Sequence, residues 1–277
     1  MIIAFFGPET TYTHQAALKH FLENSKTKEN TFIAKKTIPE VFDSVEKGEA
    51  TFGVVPVENS TEGSVAHTLD SFVDSKLCIT DEIVLPIKHC LLSNSKKEEI
   101  QKIYSHTQPF GQCKKYLIKN FPNAELVEAL STANAAILAS KEKNSAAIAS
   151  ELAGQKFGVK VIDKEINDEK NNLTRFFVIG KTCNKATGKD KTTILFSTKN
   201  VSGALYHVLG IIAKYKINMT KIESRPSKKK VWEVVFFVEI EGHEKDVNVS
   251  KALKEMNTYC DVVKVLGSYP EKTKISD

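Results

Sequence analysis

The sequence predicts an α/β protein followed by a smaller α+β unit, and three observations carry that expectation. Short apolar runs alternate with segments of helical period from the first residue to about Gly180, as strands and helices do around a largely parallel sheet. A lysine- and threonine-rich stretch without apolar periodicity, KTCNKATGKDK, comes next and reads as a linker. Beyond it the runs spell β-α-β-β-α-β, the split βαβ unit.

Along the first region, IIAFF, TFIAKK, FGVVPV, LCITDEIVL, KIYSH, AELVEA, AAIAS and VKVIDKEI read as strands, being short, apolar and bounded by turn residues. HQAALKHFLEN, PEVFDSVEKG, VAHTLDSFVDS, QCKKYLIKNF, STANAAILASKEK and SELAGQKF repeat apolar residues at helical spacing. NNLTRFFVIG closes the region: Phe176 to Ile179 suit a strand covered on both faces, with the polar Thr174 and Arg175 at its mouth. In the second unit TTILFST, INMTKIESR, WEVVFFVEIEG and VVKVLGS read as strands, and ALYHVLGIIAKYK and VNVSKALKEMN as helices.

A chain of 277 residues, 41% hydrophobic and 26% charged, is long enough for more than one compact unit. The opening MIIAFFGPETTYTHQ has no basic n-region or long apolar core, and no later stretch approaches about 18 uninterrupted apolar residues. The expectation is a cytoplasmic protein without membrane contact. The five cysteines, Cys78, Cys90, Cys113, Cys183 and Cys260, are odd in number, widely spaced and without a CxxC pair, so structural thiols are expected rather than a disulfide framework or a metal site. The formal charge of +5 comes almost wholly from lysine. Those lysines are scattered except for Lys228, Lys229 and Lys230, read as a solvated turn, so no nucleic-acid partner is expected.

Several strands of the first region run into loops rich in Ser, Thr, Asn and Gly and then into a helix: GPETTYTH, VENSTEGS, SHTQPFGQ and STANAA. Such loops expose unpaired helix amides suited to an anion, and in an open α/β sheet they converge on one crevice. The motifs GxxxxGK[ST], GxGxxG, GxSxG and HExxH are absent. His14, His67, His89 and His106 are isolated, a pattern of caps and core partners more than of ligands. What remains is neutral hydrogen-bonders plus Arg175. Of 39 Lys and Arg residues only Arg175 and Arg225 are Arg, and an arginine in so lysine-biased a chain suits a place where a planar fork must grip a carboxylate. Arg175 is therefore a candidate ligand for a substrate carboxylate, with a strand-end ion pair as the alternative.

Taken together these segments resemble the prephenate dehydratase family over essentially the whole chain. Thr174, Arg175 and Phe176 match its Thr-Arg-Phe motif. Phe6, Gly7, Pro8, Thr11, Tyr12 and His14 match its opening, with Thr10 where glycine is usual. Glu58, Asn59, Ser60 and Gly63 match its Glu-Asn-Ser stretch; Ser105, His106, Thr107 and Gln108 its Ser-His-Pro-Gln segment, with Thr107 in place of proline, followed by Gln112 and Cys113. The second unit resembles an ACT module, with GALxxxL at Gly203, Ala204, Leu205 and Leu209 and ESRP at Glu223, Ser224, Arg225 and Pro226.

The resemblance implies a bilobal catalytic domain of the type II periplasmic-binding-protein kind over 1–181, its first lobe about 1–77 and 166–181 and its second about 78–165, then a linker at 182–190 and an ACT domain of ferredoxin-like α+β fold at 191–272. It implies loss of water and carbon dioxide from prephenate to give phenylpyruvate, a reaction driven by aromatisation of the ring that needs no metal or cofactor. By the same resemblance Thr174 donates the proton, with Glu58 as the alternative acid. Arg175, Asn59, Ser60, Thr11, Ser105 and Gln112 hold the dianion and Phe176 supplies an apolar wall. L-phenylalanine is the expected effector, bound by Gly203, Ala204, Leu205, Leu209, Glu223, Ser224, Arg225 and Pro226 and inhibiting catalysis. ACT modules associate edge to edge, so a homodimer or homotetramer is expected. No long helical segment stands before the first strand or after the ACT module, so a fused chorismate mutase is not expected. The competing reading is a non-catalytic amino-acid or small-anion receptor using the same cleft.

Overall fold

The computed structural model describes residues 1–23, 29–228 and 233–272. Three parallel strands, β1 (Ile2–Phe6), β2 (Thr31–Lys35) and β3 (Phe52–Asn59), have β1 at their centre and are joined by α1 (Tyr12–Glu23) and α2 (Ile38–Glu46). Helix α2 shows why such segments fold locally. The Thr37 side chain accepts from the Glu40 amide at its start, Pro39 sits in the first turn, and Ile38, Val41, Phe42 and Val45 turn one apolar face inward. A two-residue strand β4 (Gly63–Ser64) pairs with β3, then α3 (Ala66–Asp74) leads into β5 (Cys78–Pro86).

The second lobe comprises β6 (Cys90–Leu92), β7 (Lys102–Ser105), α4 (Thr107–Gln112), α5 (Lys114–Asn120), β8 (Glu125–Glu128), α6 (Thr132–Lys141), β9 (Ser145–Ala149), α7 (Glu151–Phe157) and β10 (Val161–Asp163). Its sheet runs β10-β6-β9-β7-β8. Ala135, Ala136, Ala139, Ala147 and Ala149 fill the space between α6 and β9. The chain then returns through β11 (Leu173–Gly180), which inserts into the first sheet to give the order β2-β1-β3-β11-β5.

The structure corrects several expectations. The first sheet is mixed, because β11 is antiparallel to both β3 and β5. Residues 78–86 belong to the first lobe: β5 pairs with β11 from Pro86 opposite Leu173 to Cys78 opposite Gly180, and an apolar run does not say which sheet it will join. Strand β6 is only three residues long and carries too little periodicity to be seen. The SHTQPFGQ loop folds largely as α4. Cys78 and Cys183 form a disulfide across 105 residues of sequence. The chain leaving β11 passes the start of β5, a proximity that cysteine spacing cannot reveal, whereas Cys90, Cys113 and Cys260 are the buried thiols expected. Asn24 of the first expected helix, Trp232 of an expected strand, and Lys229 and Lys230 of the lysine run lie outside the described residues. No helix among the described residues is long and apolar enough to cross a membrane.

The C-terminal domain is β12 (Asp190–Thr198), α8 (Ala204–Lys214), β13 (Met219–Pro226), β14 (Val234–Glu241), α9 (Val247–Met256) and β15 (Cys260–Pro270), with an antiparallel sheet ordered β13-β14-β12-β15. Its helices cover one face through Ile194, Phe196, Val208, Ile211, Val238 and Ile240. The other face docks on the first lobe: Leu195, Val235, Phe237, Leu266 and Tyr269 share a core with Val41, Phe72 and Phe177. Burial of Leu195, Phe237 and Leu266 contributes about 1.5–3 kcal/mol each. The fit is close enough that a Cβ on Gly267 of β15 would stand 2.3 Å from the Ile79 carbonyl oxygen of β5, so only glycine is admitted there.

Candidate active site

Because β11 is antiparallel to β3, its first residues stand beside the last residues of β3, at the carboxyl ends of the parallel strands where a cleft between lobes opens. Thr174 lies opposite Asn59 and Arg175 opposite Glu58. Alternation along a strand sends each pair to a different face. Thr174 and Asn59 meet on one face, and Arg175 and Glu58 on the other.

The orientation of the Asn59 amide follows from its neighbours. Its Oδ1 accepts from the Thr61 and Glu62 backbone amides at 2.9 and 3.0 Å, which leaves Nδ2 to donate to Asn172 Oδ1 at 2.7 Å and to Thr174 Oγ1 at 2.8 Å. The threonine hydroxyl is thus an acceptor toward Asn59, and its own proton is available to a third group. The network continues into the second lobe. Asn172 Nδ2 donates to Gln112 Oε1 at 3.1 Å, and Gln112 Nε2 donates to Glu62 Oε1 at 3.3 Å. His89 Nε2 lies 2.9 Å from Gln112 Oε1. Since that oxygen only accepts, His89 carries its proton on Nε2 and turns Nδ1 to the Tyr12 hydroxyl 3.2 Å away, while Tyr12 donates to the Lys88 carbonyl at 2.7 Å. Burial lowers the His89 pKa against the opposing Gln112 bond, and raises that of Tyr12 well above its ordinary value, with the Cys90 and Cys113 thiols adding to it.

Elsewhere at the lobe junction Ser150 Oγ donates to the Thr10 carbonyl at 3.1 Å. Thr10 Oγ1 and Asn167 Nδ2 are buried there without a partner. A cavity of about 660 Å³ opens beyond the ends of β1 and β2, bordered by Pro8, Lys35, Lys36, Ser131 and Lys156.

On the opposite face, Arg175 is gripped by carboxylates from three strands: Nη1 to Glu58 at 3.0 Å, and Nη2 to Glu82 of β5 at 2.9 Å and to Glu239 of β14 at 3.0 Å. Burial alone would lower the guanidinium pKa, but Glu239, Tyr269 and Glu82 outweigh it and hold it raised. Lys221 of β13 adds a bond to Glu58 at 3.1 Å, and Lys191 of β12 one to Glu82 at 3.6 Å. Arg225 grips Asp70 of α3 at 3.1 Å. Both arginines of the chain therefore bridge the first lobe and the C-terminal domain.

At the start of α8 a second cavity, of about 560 Å³, is lined by Thr198, Gly203, Ala204, Leu205, Val234 and Phe236. Gly203 holds a left-handed φ of 78° at the N-cap, a conformation that favours glycine.

Two families account for this architecture. The sequence model of prephenate dehydratase matches residues 3–184, and that of the ACT domain residues 192–257. The chain belongs to the prephenate dehydratase family. The bifunctional chorismate mutase/prephenate dehydratase of Aquifex aeolicus is 45% identical over 270 residues, 97% of this chain and 73% of the relative. A prephenate dehydratase from Arthrobacter aurescens, solved in complex with L-Phe, superposes with a TM-score of 0.88 at 30% identity, covering 98% of this chain and 90% of that one. A protein described as a novel type of quorum-quenching acylase superposes with a TM-score of 0.87 at 26% identity over 99% of both chains, a reminder that the fold alone does not select a chemistry.

Within the dehydratase domain the structure gathers Thr174, Asn59 and Gln112 as the sequence leads one to expect, and adds Asn172, His89, Tyr12 and Glu62. Asn172, immediately before β11, was legible as the residue two before Thr174. Nothing in sequence spacing joins His89 to it. Ser60 braces the start of β11, accepting from the Leu173 amide at 3.0 Å and donating to the Asn171 carbonyl at 3.2 Å. Thr11 serves the start of α1, donating to the Pro8 carbonyl at 2.9 Å and accepting from the His14 amide at 3.3 Å.

Five expected placements are corrected. Arg175 and Glu58 face the ACT domain and spend their charges on protein partners. Phe176 is packed among Ile3, Phe5, Phe21, Val54 and Ile83 and forms core rather than a cleft wall. Ser105 is fully buried and donates to the Ile148 carbonyl at 3.0 Å. In the ACT domain ESRP is divided by strand alternation. Ser224 stands opposite Phe236 on the face of the α8 cavity, while Arg225 binds Asp70 and Glu223 binds Ser64 of the first lobe.

The lowered pKa of His89 sets a pH dependence. The unfolded chain takes up this proton near pH 6.5, whereas the folded protein resists it, so below that value the unfolded state binds more protons. The contribution is fully present above about pH 6.5 and is lost as pH falls toward the folded-state pKa. Burial lowers the pKa of His14 and His20 too, so the comparison with a variant isolates His89. The urea midpoint of His89→Gln is expected to fall less steeply than that of the wild type from pH 7 to 5.5; equal slopes would remove His89 from this account.

Proposed function

We propose that this prephenate dehydratase uses Thr174 as its proton donor in the interlobe cleft and is inhibited by L-phenylalanine bound to the ACT domain. The observation that carries the first half is the direction of the Asn59–Thr174 hydrogen bond. When carbon dioxide leaves prephenate, the electron pair of the broken C–C bond enters the ring and expels the ring hydroxyl, which departs as water if a proton reaches it. Thr174 has an uncommitted proton to give. Threonine is a weak acid, and the Asn59 N–H already aimed at Oγ1 stabilises the charge that develops there as the proton leaves; solvent then restores the hydroxyl proton.

The effector half rests on the α8 cavity, where Gly203 lets a ligand backbone approach and the first helix amides can meet its carboxylate. Ser224 lies across from it on the same sheet face. Edge strand β13, with Ile222 exposed, is the edge through which we expect ACT domains of two subunits to associate. We place the protein in the cytoplasm.

The test is incubation with prephenate, following phenylpyruvate, beside a parallel incubation with an N-acyl amide. Phenylpyruvate formation, suppressed by L-phenylalanine that calorimetry shows to bind, is the expected result. A folded protein that leaves prephenate intact and hydrolyses the amide would overturn the reading in favour of acylase chemistry.

A further inference from the structure

The pairs Asn59–Thr174 and Glu58–Arg175 are successive rungs of the same two strands, one facing the cleft and the next facing the ACT domain. The second rung is not closed on itself. Arg175 Nη2 meets both carboxylate oxygens of Glu239 in β14, each at 3.0 Å, and Lys221 in β13 holds Glu58 at 3.1 Å. Each member of the inner rung thus has one ACT residue attached to it. The outer neighbours of this cluster are dry: the side chain of Glu82 is fully buried and that of Glu239 is 5% exposed. Charges in such surroundings are little screened, so a small displacement of one partner is felt strongly by the next. The strand register is irregular just beyond Arg175, where Phe176 pairs with Pro56 and Val57 is skipped. The backbone that carries Thr174 is therefore not braced by an unbroken ladder on that side.

We propose that Arg175 is a positioning residue, which through Glu239 and Glu58 couples the placement of the ACT domain to the alignment of Thr174 and Asn59. In the arrangement seen here both rungs are in register and the catalytic hydroxyl is held at Asn59. An ACT domain moved by its effector withdraws Glu239 and Lys221 from the inner rung, and the strand start relaxes with them. The coupling is thermodynamic: the effector acts to the extent that it prefers the withdrawn arrangement. This inference rests on the reading of the cleft as the dehydratase site, and wild-type turnover of prephenate, measured alongside, tests that reading separately.

The experiment is Glu239→Gln, which removes one charge, keeps the shape and lies outside the cleft. Steady-state kinetics with prephenate are expected to show kcat reduced roughly tenfold with KM within about twofold of wild type. Calorimetry is expected to show L-phenylalanine still bound, while its maximal inhibition of the variant is weaker than of the wild type. Lys221→Gln, which releases Glu58 from its ACT partner, should give the same split to a smaller degree and serves if Glu239→Gln does not fold. Arg175→Lys, keeping the charge without the fork, should fall between wild type and Glu239→Gln in residual inhibition. Unchanged kcat and inhibition in both glutamine variants would overturn the proposal. So would a rise in KM alone, which would return Arg175 to the substrate.

Discussion

Thr174→Ala lowers kcat by about a hundredfold or more while KM stays near its wild-type value. The reason is that the hydroxyl contributes only once the C–O bond has begun to break, so its loss is felt in the transition state and not in ground-state binding; removal of one such donor typically costs about 10²–10³ in rate. The variant should fold, because the hydroxyl's structural partner, Asn59 Nδ2, keeps Asn172 Oδ1 at 2.7 Å as an acceptor. Thr174→Ser restores the hydroxyl and should recover part of the activity, less the alignment that the threonine methyl imposes on χ1. Normal kcat in Thr174→Ala would assign the proton to another group. Glu58 is a poor heir, its carboxylate being held by Arg175 and Lys221 on the far face.

Arg175→Met carries the largest expected loss of stability, about 3–5 kcal/mol, because it strands buried carboxylates without their shared counter-ion. Glu82 retains Lys191 at 3.6 Å and Glu58 retains Lys221 at 3.1 Å, so Glu239 bears most of the cost. That identifies the compensating change. In the double variant Arg175→Met with Glu239→Gln the unpaired charge is gone, and the urea midpoint should recover a substantial part of the loss, since replacing both members of a buried pair is far cheaper than removing one. A single variant as stable as the wild type would show that the cluster is already solvated in solution. A double variant no better than the single would place the cost in lost packing of the arginine stem over Phe177, whose ring lies 5.8 Å from the guanidinium carbon.

Arg175 also shows how far residue-level reasoning reached. The scarcity of arginine pointed to a fork that holds carboxylates, but the carboxylate expected was the substrate's, with an ion pair only as the alternative, and those found are Glu58, Glu82 and Glu239. One step along a strand reverses the face, and Thr174 and Arg175, adjacent in sequence, serve different domains. The same alternation divides Ser224 from Arg225 within a motif that reads as one unit. Ser105 and Phe176 were misplaced for a related reason: a polar or aromatic residue near a strand end lines a cleft or fills a core according to what packs above it, and sequence distance does not report that.

The linear order of residues determined the elements and the chemistry they can offer. Periodicities of two and near four residues, helix caps such as Thr37 and Ser131, and the turn from strand to helix after β1, β7 and β8 are local, set by neighbours within a few positions. Those were enough to separate the α+β unit from the α/β region, whereas Thr174, Asn59 and Gln112 were marked by the family resemblance. Tertiary structure alone decided that β11 enters antiparallel between β3 and β5, that Cys183 meets Cys78, that His89 closes the cleft network through Gln112, and that Glu239 reaches Arg175 across 64 residues. Each of these depends on which sheet a strand joins and which face it turns inward. That choice is made by the summed burial of many side chains far apart in sequence, and no short stretch encodes it.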